Sequence, residues 1–231
     1  MNEVIYAIGD IHGEKDMLRQ LHLNIFDHHL ALHGREPFIL IHLGDYVDRG
    51  PDSCGVINYL LNLSAPNGAQ IINLMGNHEA IMLAALKCDS DREFWMSNGG
   101  DETIRSYNDA GHNAVPQDHI DWLEALPDLY CHDAAKLIFV HAGIDVMYWP
   151  ETHKAAHLWT RSASFFETNM WDNPSLDGWA VVHGHTPTAD FYPDVLGSPP
   201  RRINLDTGAC YGGRLTAAKF VKSEKVRFFY S

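Results

Sequence analysis

Five short apolar runs in this chain each stop at a turn that carries Asp, Asn or His. VIYAI at 4–8 leads into GDIHG, with Asp10 and His12, and FILIHL at 38–43 leads into GDYVDRG, with Asp45, Asp48 and Arg49. IINLM at 71–75 is followed by GNHE, with Asn77, His78 and Glu79. LIFVHA at 137–142 ends in HAG, with His141, and WAVVHGH at 179–185 ends in His183 and His185. Short β-branched runs bounded by glycine or polar turns read as strands. In open α/β folds, ligands bind beyond the carboxyl ends of the strands. Ordinary loops would supply such residues only sporadically.

Helical patterns separate the first three strands. Leu18, Leu21 and Ile25 share one face of the first helix, and Val56, Ile57, Leu60 and Leu61 mark the second. A third pattern follows Asn77 with Ile81, Met82, Ala85 and Leu86. This β-α-β-α-β order predicts parallel strands joined by right-handed crossovers. The stretch 89–126 reads as helical and is broken at Asn98-Gly99-Gly100, with its Trp and Phe residues expected in the core. RINLD at 202–206 is a further strand, and LTAAKF at 215–220 with KVRFFY at 225–230 reads as an antiparallel hairpin. No repeat or linker interrupts the chain. The expectation is one α/β domain over residues 1–231, with a mixed sheet or two packed sheets.

The formal net charge is -13, which argues against nucleic acid or an anionic membrane as a partner. An acidic chain that binds phosphate needs local positive charge, from arginines or from metal ions. The four cysteines show no CxxC pairing, so free thiols are expected rather than a zinc ribbon. A first candidate ligand as early as Asp10, and no apolar run long enough for a bilayer, lead to the expectation of a cytoplasmic protein. Of the fifteen histidines, His22, His28, His29 and His33 read as surface positions on or after the first helix. His42 and His183 read as structural, with His183 the competitor of His185.

Asp, Asn and His together offer oxygen and nitrogen donors without a thiolate, a set that suits Mn, Fe or Zn. Two ions about 3.5–4 Å apart need a bridging carboxylate. Asp45 is the best placed, because it closes the central strand. Taken singly, each residue has a plainer reading: Asp10 as a turn residue, Asn77 as a cap, Asp48–Arg49 as a surface ion pair, Arg161 as the partner of an acidic neighbour, and Glu79 as a cap or supporting group. Taken together, a purely structural reading of the whole set is untenable.

GDIHG, GDYVDRG, GNHE, HAG and GHT, in this order and spacing, resemble the phosphoprotein phosphatase family of metallophosphoesterases. NGGDETIRSY at 98–107, LWTR at 158–161 and NLDTGACYGGRLTA at 204–217 look like its compact bacterial and phage members, so the resemblance covers nearly the whole chain. It implies a calcineurin-like β-sandwich flanked by helices, two divalent ions with manganese the usual one and iron or zinc also found, and a phosphoprotein or phosphopeptide substrate. Carried over by position, Asp10 and His12 would hold the first ion, Asp45 would bridge, and Asn77, His141 and His185 would hold the second. Arg49 and Arg161 would grip phosphate with Asn77 assisting, and His78, oriented by Asp48, would be the general acid. Many relatives outside this family end in GHxH; here that place is Pro187, which favours phosphomonoester hydrolysis. The resemblance therefore implies a Ser/Thr protein phosphatase. The alternatives are a symmetrical diadenosine tetraphosphate hydrolase and, from another class, a catalytically inactive phosphopeptide-binding module.

Overall fold

The computed structural model describes every residue except 1, 2, 65, 152 and 223. Two five-stranded sheets face each other. The first has the order β10-β9-β1-β2-β3, from β1 (Ile5–Ile8), β2 (Ile39–His42), β3 (Gln70–Asn73), β9 (Thr216–Phe220) and β10 (Arg227–Tyr230). The second has the order β4-β5-β6-β8-β7, from β4 (Leu129–His132), β5 (Leu137–Val140), β6 (Ala180–His183), β7 (Asp194–Leu196) and β8 (Arg202–Asn204).

The expected β-α-β-α-β start is present: α1 (Lys15–His33) and α2 (Ser53–Leu61) connect β1, β2 and β3, which pair in parallel. The expected hairpin pairs β9 with β10 antiparallel, and β9 then lies antiparallel to β1, with Ile5 opposite Phe220. In the second sheet β5, β6 and β8 run parallel, and β4 and β7 close its edges antiparallel. Those two edge strands carry too little apolar alternation to stand out in the sequence.

Side-chain alternation divides the core. Ile5, Ala7, Ile39, Ile41 and Leu43 of the first sheet meet Leu137, Phe139, Val182, Ile203 and Leu205 of the second. The opposite residues, Tyr6, Ile8 and Leu40, pack under α1, α2 and α3 (Asn77–Lys87). On the outer face of the second sheet, Ile138, Val140 and Val181 pack with Ile144, Trp149, Phe165 and Trp171. A period of two on the central strands gives three apolar layers from two sheets.

The middle region is helical as expected: α4 (Arg92–Trp95), a wide turn over Met96–Gly100, α5 (Asp101–Asp109) and α6 (Gln117–Glu124). Two shorter helices, α7 (Lys154–Trp159) and α8 (Ala163–Phe166), follow β5. The surface reading of the first-helix histidines holds only in part. His22 and His29 are buried, because they extend the stripe of Leu18, Leu21 and Ile25 at helical spacing. Tyr59 donates to His22 Nδ1, His22 Nε2 to His42 Nε2, and His42 Nδ1 to Asn73 Oδ1, over 2.9, 2.9 and 2.7 Å. This direction of donation satisfies every nitrogen of the two rings.

Candidate dinuclear metal and phosphate site

The carboxyl ends of β1, β2, β3, β5 and β6 converge at one end of the sandwich. The turn after β1 is bound to the turn after β2, where Ile11 and His12 N–H groups both donate to Asp45 O. Gly50 touches His12 O so closely that a Cβ there would lie 1.8 Å from it. The polar residues sit on strained backbone: His12, Asp45, Asp48, Arg49 and His185 all have positive φ, at 43°, 54°, 70°, 69° and 70°. Non-glycine residues rarely adopt this conformation, and such strain clusters at functional sites.

Two groups of candidate ligands are close enough to share an ion. Donor atoms of His12, Asp45 and His78 lie within 4.8 Å of one another, as do those of Asp45, His141 and His185. Asp45 is common to both, as a bridge requires. His12 Nδ1 donates to Val47 O and His141 Nδ1 donates to Leu43 O, which leaves both Nε2 lone pairs facing inward. The His141 lone pair meets Asn77 Oδ1 at 2.9 Å and Asp45 Oδ1 at 3.3 Å. His185 Nδ1 lies 2.8 Å from the same Asn77 oxygen. Acceptors facing acceptors call for a cation or a proton between them. Buried Asp10 Oδ1 and His185 Nε2 have no hydrogen-bond partner among the described residues.

Electrostatics agree with this geometry. Burial, then the nearby Asp206 and Asp45 carboxylates, push the Asp10 carboxyl well above its usual range. Burial opposes charge on Asp45 too, yet the His141 and His78 imidazoles hold it well below the carboxylate range. Burial lowers His12 to about 3 and His185 to about 2, so both rings offer neutral lone pairs at neutral pH. The donor set therefore fits two divalent ions. The structure brings together Asp10, His12, Asp45, Asn77, His141 and His185, and adds His78 to the first group. His183 lies apart, bonded to Arg202 and packed edge-on against Phe165 and Phe166.

His78 Nδ1 donates to Asp48 Oδ2 over 2.8 Å, and both side chains are buried. Its Nε2 is the atom left toward the centre, where the ring meets His12 edge-on at 4.7 Å. Asp48 is itself fixed: Trp95 Nε1 and Thr103 Oγ1 donate to its Oδ1, at 2.9 and 2.7 Å. Arg49 N donates to Gly99 O, and an Arg49 guanidinium N–H donates to His12 Nε2 over 2.8 Å. Arg161 is exposed and donates to Thr186 Oγ1 and His185 O, so it stands at the rim beside His185.

Four contributors were not assigned a place in the chemistry from the sequence. Glu79, left aside as a cap or supporting residue, accepts from the backbone of Asp45, Tyr46, Val47 and Gly76. Trp95 is core, as expected, but its indole also holds Asp48, and Thr103 does the same from α5. Asp206, after β8, is buried close enough to Asp10 to raise it, and burial pushes Asp206 itself to about 6. Its only signal in the sequence was the position at a strand end.

The sequence profile of the calcineurin-like phosphoesterases matches residues 4–229. Serine/threonine-protein phosphatase 2 of Escherichia coli (strain K12) is 32% identical, over 93% of this chain and 92% of its own. Bis(5'-nucleosyl)-tetraphosphatase PrpE of Anoxybacillus flavithermus, named as asymmetrical, is 27% identical over 95% of this chain and 91% of its own. The cold-active protein-tyrosine phosphatase of a psychrophile Shewanella sp. shares the fold, with a TM-score of 0.62 at 16% identity over 98% of this chain and 80% of that one. The dinucleotide hydrolase considered from the sequence was a symmetrical one, whereas the relative's name specifies the asymmetrical reaction.

Proposed function

Given that the chain belongs to the calcineurin-like phosphoesterase family, whose enzymes hydrolyse phosphoesters at a dinuclear metal site, we propose that it is a protein phosphatase acting on phosphoserine and phosphothreonine. Asp10 and His12 would hold one ion, Asn77, His141 and His185 the other, and Asp45 both; manganese is the first ion to test. Bound there, two divalent cations supply an acidified water near neutral pH and positive charge against the phosphoryl oxygens. The whole chain acts as one catalytic domain, and its proposed location is the cytoplasm. No helix of the described residues is long and apolar enough to cross a membrane.

The chain's own residues do the rest. Arg49 and Arg161 donate to the non-bridging oxygens, where charge is spread during transfer. Asn77 keeps its amide N–H for the same oxygens, since its carbonyl oxygen faces His141 and His185. His78, held by Asp48, delivers a proton to the departing oxygen.

The buried Asp48–His78 pair is the observation that carries this reading. A serine or threonine alkoxide cannot leave without a proton, whereas a nucleotide phosphate or a nitrophenolate leaves readily. The test is kcat/KM, with added Mn²⁺, on a phosphoserine protein, p-nitrophenyl phosphate and diadenosine tetraphosphate. The phosphoprotein should be the best substrate. Preference for diadenosine tetraphosphate would favour the second reading, suggested by the name of the Anoxybacillus relative, and ATP plus AMP rather than two ADP would mark its asymmetrical form. No turnover of any of the three would leave the inactive binding module.

A further inference from the structure

We propose that Asp128 and His157 form a positioning pair that sets the phosphate-gripping Arg161; this rests on the reading of Arg161 given above. The helix α7 that leads to Arg161 has only six residues, too few to be stable alone. Contacts with the rest of the fold hold it. Leu158 enters the core, Ala142 N–H beside His141 donates to His157 O over 2.7 Å, and His157 Nδ1 donates to Asp128 Oδ2 over 2.5 Å. His157 is 5% exposed and, among the described residues, its Nε2 has no partner and Asp128 is the one hydrogen-bond partner of the buried ring.

Asp128 belongs to another part of the fold. It lies between α6 and β4, just after Pro127, whose carbonyl accepts from Met75 N at the end of β3. The pair therefore pins α7 to the segment that also braces the Asn77 turn. Beyond His157, Trp159 reaches the ring of His185 at 6.2 Å and Arg161 bonds to His185 O. A displaced α7 carries Arg161 away from the centre while leaving the candidate ligands in place.

The test uses the full chain loaded with Mn²⁺ and inorganic phosphate as the probe. Asp128→Ala leaves the buried Nδ1–H without an acceptor, whereas Asp128→Asn keeps an oxygen there. Asp128→Ala should raise the phosphate inhibition constant and KM about tenfold, because small misplacements of a gripping group are expensive, with kcat much less affected and two ions still bound. Asp128→Asn should stay within about twofold of the parent, and Asp128→Ala added to Arg161→Ala should change little further, as expected for residues acting through one another. Equal damage from Asn and Ala, or an undiminished effect of Asp128→Ala in the Arg161→Ala background, overturns the pair's role. An unchanged inhibition constant in Asp128→Ala, beside a raised one in Arg161→Ala, also overturns it while sparing the reading of Arg161. An unchanged constant in Arg161→Ala removes that reading and this proposal with it. Because the Asp128 side chain is 31% exposed, its replacement sits at the surface and spares the core.

Discussion

Glu79 collects four backbone N–H groups from the two turns that carry Asp45 and Asn77, at 2.7–3.2 Å. The turn that carries Asp45 has strained φ, and a fully buried carboxylate ties it to the turn before Asn77. Glu79→Gln turns an NH₂ toward donors that need an acceptor. The expected loss is about 2–3 kcal/mol of stability, read from urea denaturation, with weaker metal binding because Asp45 follows its turn. A Gln variant with parental stability and two bound ions would show that the turns hold themselves. Asp45 is the other decisive residue: Asp45→Asn should remain folded but lose both ions by elemental analysis, whereas His12→Ala and His141→Ala should each lose mainly one. His78→Asn should reduce kcat on phosphoserine about 10²–10⁴-fold, the usual range for acid catalysis, and spare p-nitrophenyl phosphate. Asp48→Asn should do the same more mildly. Equal losses on both substrates would mean that His78 binds phosphate or holds an ion, a role its place beside His12 and Asp45 also allows.

At the scale of elements, the wide turn between α4 and α5 explains why a glycine pair interrupts a helical stretch. Gly99 has φ +96°, and a Cβ there would lie 2.7 Å from Arg49 N. Its carbonyl accepts from that same N–H. Gly99→Ala should therefore displace Arg49 and raise the phosphate inhibition constant, with metal content unchanged; an unaltered constant would show that Arg49 is placed by other contacts. The interruption was visible in the sequence, but its purpose was not, since hydrogen bonds between segments fifty residues apart leave no local pattern. The same reason hid Trp95 and Thr103, which support Asp48 from α4 and α5. The strand ends were legible because alternation, glycine and a ligand-type residue coincide within a few positions. His22 and His29 are buried where the sequence suggests a surface, although they share the helical spacing of Leu18 and Ile25. A histidine counts as polar in a hydrophobic pattern unless a partner for each nitrogen is known, and those partners come from β2 and α2 for one ring and from β1 and the turn after α1 for the other.

Across the whole molecule, two sheets bring five strand ends to one edge, and the acidic chain concentrates there a site that calls for cations. The helix layer on the first sheet depends instead on uncharged histidines. Burial, and to a lesser extent each other's proximity for His22, depress His22 to about 2 and His42 to about 4. In the unfolded chain both titrate near 6.5, so below that pH the unfolded state binds protons that the native state refuses. Stability is then complete above the unfolded pKa and is lost as pH falls toward the folded values. At pH 5 the loss is about 2 kcal/mol for each ring relative to pH 7.5. Within the chain Tyr59–His22–His42–Asn73 a second proton has no place between His22 Nε2 and His42 Nε2, which lie 2.9 Å apart, and only the Tyr59 oxygen at one end could accept one. Urea midpoints of chelator-treated protein between pH 7.5 and 5 should fall steeply. A His22→Gln/His42→Gln variant should be less stable at pH 7.5, because its amides fit the chain of donors poorly, yet should fall less over the same range. Parallel slopes for the two proteins would place the acid sensitivity elsewhere, in the buried histidines of the site itself.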